Sequence, residues 1–237
     1  MDLPILSTMV VLYNTNLKFD TTKLMTDLPI NDQIIKIEKK GFARRGESKR
    51  DKIKRRSKKE TPSNNTGFCH NSLTLVMMND GDGTLPQKEI TIKIFQNGVF
   101  HMTGVLHEQY HVCSMRILLE ILWKCQDAIK DTPSTYEIVQ CRVVLMNYTT
   151  KLSSNETVAR EILYNKIRNL QNTTITCHYD PDVYPGVKIH IGPKKWTAKI
   201  FRTGKIILTG ITEHSECLEF MTQLNELFVD VLPKRFA

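Results

Sequence analysis

No apolar run in this 237-residue chain approaches the roughly 18 residues of a membrane-spanning helix. The opening MDLPILSTMVVLYN has neither the basic region nor the apolar block of a signal sequence. Both absences lead us to expect an intracellular protein with no membrane partner, in which the N-x-[ST] matches at Asn64, Asn147, Asn155 and Asn172 arise by chance. No C-x-x-C pair occurs among Cys69, Cys113, Cys125, Cys141, Cys177 and Cys217, which argues against a zinc ribbon and, in that compartment, against a disulfide framework. Most of these thiols read as small buried residues. Paired carboxylates, a nucleophile–base pair and a phosphate-binding loop are all missing, so we expect neither an enzyme nor a cofactor.

Negative charge is scarce in one place above all. Residues 39–59, KKGFARRGESKRDKIKRRSKK, hold twelve Lys or Arg against Glu47 and Asp51, a net of +10. The whole chain carries +8, so the remainder carries −2. The tract fades into TPSNNTG, and residues 39–67 read as a disordered or mobile insertion. It has three readings: a solvated tip with nonspecific affinity for phosphates, a nuclear-import signal in KRDKIKRRSKK, or a surface for a dedicated partner.

What the chain does contain, twice, is a hairpin. Residues 91–104 read TIKIFQNGVFHMTG and residues 197–210 read TAKIFRTGKIILTG, with seven of 14 positions identical. Unrelated segments share about one position in fourteen, so this is a tandem duplication. Each copy reads as a strand, a tight turn at Gly98 or Gly204, and a second strand. Side chains alternate faces along a strand. Ile92 and Ile94 therefore point one way, and Thr91, Lys93 and Phe95 the other; Ala198 and Ile200 oppose Thr197, Lys199 and Phe201 in the same manner. Each phenylalanine sits with Thr and Lys. Either the strand is buried on both faces, or a wet face shows an aromatic to a partner.

The surrounding elements recur in order. The run 9–14 (MVVLYN) and its counterpart VVLMN at 143–147 read as leading strands. Asp20 caps a short helix ending before Pro29, and Ser153 with Glu156 forms a capping box for a helix reaching about Leu170. Strands are expected at 34–37, 68–78, 174–178 and 187–191, and long helices at 105–126 and 213–231, the former with Val112, Met115, Leu118, Leu119 and Leu122 at helical spacing. The leading strands lie 133 residues apart and the hairpins 106 apart. Pairing Phe68 with Tyr184 places 17 of the extra residues in the basic loop and 10 in the linker NDGDGTLPQ.

This layout looks like the TATA-box-binding protein family. The resemblance covers nearly the whole chain apart from the insertion and is strongest in the second half. There YDPDVYPG, residues 179–186, is similar to the family's Tyr-Glu-Pro-Glu-Leu-Phe-Pro-Gly stirrup, and KIFRTGKIILTG to its IFxSGKxxLTG hairpin. The divergence is large and fits a distant paralogue or a version carried by a large DNA virus. The resemblance implies an α+β saddle of two repeats, residues 1–131 (with the basic insertion at about 39–67) and residues 132–237. A curved antiparallel sheet would carry helices on its convex face.

It also implies a transcription initiation factor that binds the A·T-rich minor groove of double-stranded DNA and bends it, in the nucleus or, if viral, in the host nucleus or a cytoplasmic virus factory. Carried over by position, the wedges are Phe68, Phe95, Tyr184 and Phe201; an apolar wedge replaces base stacking without demanding hydrogen bonds from one base. The implied groove contacts are Val10, Lys93, Val99, Thr103, Val143, Lys188, Lys199, Lys205, Ile207 and Thr209, with His101 beside them on the same strand. Thr103 and Thr209 match groove-contacting threonines. Several positions depart from the pattern. Tyr184 brings a hydroxyl to a kink, Lys93 and Lys199 stand where leucine is typical, and Thr8 and Cys141 stand where asparagines are expected, which puts strict TATA preference in question. Asp180 and Asp182 replace two glutamates that contact transcription factor IIB. They imply a related basic partner and, through it, the RNA polymerase machinery; the alternative is a solvated turn. The first stirrup, where the insertion falls, is where transcription factor IIA approaches.

Two rivals stand beside this reading. His107-Glu108-Gln109-Tyr110-His111 matches the H-E-x-x-H zinc-hydrolase signature, without an obvious third ligand. Alternatively, the fold is an interaction module that keeps a protein-binding stirrup and has lost DNA bending.

Overall fold

A computed structural model of the chain describes residues 1–52, 71–131, 133–152, 157–170 and 172–232. It divides into two compact units, Val10–Arg142 and Val143–Ala237 with Met1–Met9. Each is α+β, an antiparallel sheet with helices packed on one face.

The amino-terminal unit takes the later residues of β1 (Ile5–Thr15), in which Val11 and Tyr13 point into the core. After β2 (Lys18–Phe19), the Asp20 carboxylate accepts the Thr22 and Lys23 N–H groups at 2.9 and 3.2 Å and starts α1 (Thr21–Asp27). Those two hydrogen bonds hold the Asp20 carboxyl below its ordinary pKa. There follow β3 (Ile34–Glu38), β4 (Arg45–Gly46), α2 (Lys49–Lys52), β5 (Ser72–Asn79), β6 (Lys88–Phe95), β7 (Val99–Val105), α3 (Glu108–Lys124) and β8 (Ile129–Lys130). The sheet order is β1-β7-β6-β5-β3-β4, and β2 pairs β8 separately. Leu73, Leu75, Ile92, Ile94, Phe100 and Met102 line the inner face, against Met115, Leu118, Leu119 and Leu122 of α3. Val112 does not join them; it is 46% exposed, and Cys113 takes the buried position.

The carboxy-terminal unit contains most of β9 (Ile138–Lys151), then α4 (Arg160–Arg168), β10 (Ile175–His178), β11 (Val187–Ile191), β12 (Thr197–Ile200), β13 (Lys205–Ile211) and α5 (His214–Val231). Its order is β10-β11-β12-β13-β9, with the first residues of β1 at the end. Trp196, Ile200, Leu208, Phe220, Leu224 and Phe228 form the centre of its core. The helix α4 begins later than its sequence pattern suggests. Ser153 and Glu156 lie outside the described residues; the Val158 N–H donates to the Arg202 carbonyl at 2.7 Å, tying Val158 to the hairpin tip, and the helix begins at Arg160.

The expectation of disorder over 39–67 is corrected for its described part. Residues 39–52 are folded: Gly46 and Arg45 pair with Lys36 and Ile37. Arg45 Nη1 reaches the carbonyls of Met25, Thr26 and Leu28 at 2.7, 3.1 and 2.9 Å, satisfying carbonyl oxygens at the end of α1. The ammonium of Lys39 donates to the Thr21 hydroxyl at 2.9 Å. Residues 53–67, with the rest of the tract, lie outside the described residues.

Candidate nucleic-acid interface

The alternation in both hairpins resolves into a dry face and an open one. Ile92, Ile94, Ala198 and Ile200 are fully buried. Thr91, Lys93 and Phe95, like Thr197, Lys199 and Phe201, are only half-buried. The aromatic residues stand on the sheet face that the helices leave uncovered.

In the carboxy-terminal unit this open face is basic. Lys188 lies directly opposite Lys199, and Lys205 directly opposite Lys151. Like charges facing each other across a ladder destabilise the free sheet, and an anion lying over them relieves the cost. The strands β9 to β13 hold no Asp or Glu to do so from within. Thr197 faces Thr209, and Lys199 also faces Ile207, so the face alternates cations, hydroxyls and one aliphatic side chain.

Tyr184 and Phe201 meet edge to face at the end of this face, ring centroids 5.9 Å apart. The Lys188 and Lys199 ammonium groups stand 5.0 and 6.0 Å from the Tyr184 ring centre. Gly186 makes room for the pair: a Cβ there would lie 2.9 Å from the Tyr184 ring and 3.4 Å from that of Phe201. The tip preceding Tyr184 is an Asx turn, in which the Asp180 carboxylate accepts the Asp182 N–H at 3.1 Å. Asp180 thus shapes the tip, while Asp182 and Val183 project into solvent. Arg160 fixes the tip to α4, donating to the Pro185 carbonyl and lying 5.5 Å over the Tyr179 ring.

The amino-terminal unit presents a different face. Lys93 lies opposite His101 and Thr74, and Thr91 opposite Thr103. Burial, with the Lys93 charge second, lowers the His101 pKa. Phe95 and Val99 are half-buried, and Phe68, the remaining wedge candidate, lies outside the described residues. Val10 is only 7% exposed, whereas Val143 in the other unit is half-buried. On β5 the open-face residues Ser72, Thr74 and Val76 are covered, at 5%, 8% and 6% exposure. Beside them the Lys36 ammonium is bound by Glu38 and Asp51, at 2.7 and 2.8 Å.

Sequence reasoning missed Lys151 and Thr149, which the β9–β13 register places on the basic face; the alternation in MNYTTK is the signal that marks them. Nothing local marks Arg160. The H-E-x-x-H string serves structure. His107 is the N-cap of α3, its Nδ1 accepting the Gln109 N–H at 3.1 Å, and His111 is buried with its Nδ1 2.7 Å from the Tyr13 hydroxyl. Among the described residues no three His, Cys, Asp or Glu side chains gather to hold a metal ion. Cys113 and Cys217 are buried and Cys125 and Cys177 partly so, but Cys141 is exposed; all five are free thiols. Among the described residues no helix is long and apolar enough to cross a membrane.

Residues 157–230 match the family model described as "Transcription factor TFIID (or TATA-binding protein, TBP)". Among solved structures, the Methanococcus jannaschii TBP superposes with a TM-score of 0.56 at 14% identity, over 94% of this chain and 96% of that one. Among curated proteins, none matches the chain in sequence. The family model falls within the half that holds the basic face, and the fold match extends over nearly the whole chain: residues 157–230 carry the sequence pattern of the TATA-binding protein family, and the chain as a whole is similar to TBP in fold.

Proposed function

We infer that this chain is a transcription initiation factor that binds the minor groove of A·T-rich duplex DNA and bends it by inserting aromatic side chains. The observation that carries this reading is the carboxy-terminal open face, two facing lysine pairs beside the Tyr184–Phe201 rings with no carboxylate in its strands. Lysines over backbone phosphates release counterions and supply affinity. An aromatic pair at the end of the face supplies the wedge, and the hydroxyls of Thr103 and Thr209 meet the acceptors that A·T pairs show in the minor groove. Phe95 and Phe68 are the corresponding wedges of the first repeat. Asp182, exposed on a rigid Asx tip, is the contact for a basic partner resembling transcription factor IIB, through which RNA polymerase is recruited. The compartment that fits this role is the nucleus or, for a viral chain, the host nucleus or a cytoplasmic virus factory.

A second reading, a protein-interaction module without bending, draws support from the carboxylates on the amino-terminal open face. Energy transfer between the labelled ends of short duplexes separates the two. The expected result is a bend in an A·T-rich duplex that Phe95→Ala/Phe201→Ala abolishes, and a weaker bend in a G·C-rich one. Salt-sensitive binding without a bend, equal on both duplexes, supports the interaction module.

A further inference from the structure

The folded start of the insertion lies across the open face of the amino-terminal sheet. Lys36 faces Val76 and Glu38 faces Thr74, so both belong to that face, as does Glu89, paired with Met78. From the β4 edge the chain turns at Gly46, whose φ of +73° and whose absent Cβ, which would meet the Ile35 carbonyl at 2.1 Å, admit only glycine. It then crosses over β5. On the near side the Asp51 carboxylate takes Lys36 Nζ at 2.8 Å and Arg44 Nη1 at 3.2 Å, and also the Ser48 N–H and hydroxyl at 2.8 Å each. On the far side the Lys49 N–H donates to Glu89 at 2.8 Å.

Three consequences follow for a ligand of this face. Thr74 and Val76 are covered. The cation that the sheet offers at Lys36 is already neutralised by two carboxylates, while Glu47 pairs with Arg44 and Glu89 accepts the Lys49 N–H. Among the described residues the buried Thr74 hydroxyl finds no hydrogen-bond partner, and a base edge would supply one on opening. Among the described residues the carboxy-terminal face has no equivalent: Lys188 and His190 of β11 are half-exposed there, and Thr176 and His178 of β10 are exposed.

We propose that α2, anchored by Asp51, is an internal occupant of the amino-terminal open face, and that duplex DNA reaches this half of the protein only by displacing it. The proposal rests on the DNA-binding reading above. It makes the insertion a competitor for the face: the Asp51 carboxylate occupies cations that phosphates would otherwise approach, and the chain around it covers the strand that a minor groove must touch.

Charge alone and release of the cover predict opposite results for one substitution. Lys36→Gln removes a positive charge, so electrostatics weakens DNA binding, whereas loss of the Asp51 anchor opens the face and tightens it. A face closed nine-tenths of the time lowers apparent affinity about tenfold. Lys36→Gln and Asp51→Ala are therefore both expected to bind an A·T-rich duplex up to about tenfold more tightly than the parent. Glu47→Gln, which removes a charge from the same segment but no contact with Lys36, serves as the charge control. In parallel, amide hydrogen exchange at Ser48 and Lys49 is expected to be slow in the free parent and fast in its DNA complex. Weaker binding by Lys36→Gln, equal gains for Asp51→Ala and Glu47→Gln, or amides that stay protected in the complex each overturn the proposal. If no variant binds duplex while those amides remain protected, the DNA reading itself fails, and the competition with it.

Discussion

Two copies of one hairpin fold alike and then present opposite surfaces. In both units the inward residues are aliphatic and fully buried, Ile92 and Ile94 in one, Ala198 and Ile200 in the other. The outward faces share Thr, Lys and Phe at matching positions and differ in what surrounds them. The carboxy-terminal lysines confront one another across the ladder, Lys188 on Lys199 and Lys151 on Lys205. The amino-terminal Lys36 is bound by Glu38 and Asp51. Burial works against the Lys36 charge, but its hydrogen bonds to Asp51 and Glu38 outweigh that and raise its pKa; the same Lys36 contact, with the Ser48 N–H, holds the Asp51 carboxyl well below the usual range. Packing constrains the inner face to one solution, whereas the outer face is free to diverge with its ligands.

The strongest test of that contrast starts with what should be equal. Phe100 and Trp196 occupy corresponding depths, Phe100 edge-on to Phe19 at 5.8 Å and Trp196 on Phe220 at 5.5 Å, each almost wholly buried. Phe100→Ala and Trp196→Ala should each cost about 3–5 kcal/mol, read from denaturant midpoints, because both leave a large cavity. A small effect in one unit alone breaks the equivalence of the cores.

Next comes what should be unequal. Each lysine that neutralises one backbone phosphate contributes about 0.9 to the slope of log affinity against log salt. Lys199→Gln/Lys205→Gln should therefore flatten the slope by roughly 2 and weaken binding at low salt. Lys93→Gln should change it by less, because its unit carries the ion-paired face. Equal losses from the two units would remove the electrostatic asymmetry.

Much of the scaffold is legible because local rules and tertiary packing agree. Alternation at 91–95 and 197–201 gives the two faces, Gly98 and Gly204 take the left-handed turns at φ 82° and 76°, and Asp20 caps α1 as its residue type suggests. Legibility fails where a residue's partner is distant in the chain. The run around Lys39, Arg44 and Arg45 reads as solvated charge, yet Arg45 binds carbonyls of α1 and Arg44 binds Asp51. No periodicity distinguishes an arginine that satisfies a helix end from one that faces water. His107 fails for the complementary reason: the i, i+4 spacing to His111 is right, but the first ring sits at the cap and turns back onto its own helix. In the candidate interface, the residues on β12 and β13 follow from the hairpin pattern. Alternation in MNYTTK puts Lys151 on one face with Thr149, but its place opposite Lys205 needs the β9–β13 register, which sequence spacing does not supply.

The smallest expected effect concerns a pairing that both units make in different surroundings. A tyrosine of the leading strand meets a histidine in the first turn of the long helix: Tyr13 with His111 at 2.7 Å, and Tyr148 with His214 at 3.2 Å. His111 is buried and His214 is exposed. Burial lowers the His111 pKa, opposed in part by the Glu108 carboxylate; burial, with Cys141 second, raises that of the Tyr13 hydroxyl beside it. The sign follows from proton linkage. A histidine whose folded pKa lies below the unfolded value of about 6.5 contributes stability in full above that value and loses it as pH falls through the folded one, because the unfolded chain binds the proton more readily. The protein should thus become less stable to urea between pH 7.5 and the acid side of 6, and His111→Gln should flatten that dependence. His214→Gln should leave it largely intact, since that ring is exposed and is not held in the core. If His214→Gln flattens the profile and His111→Gln does not, burial is the wrong measure of how the two units differ, and the exposed pair is the one coupled to folding.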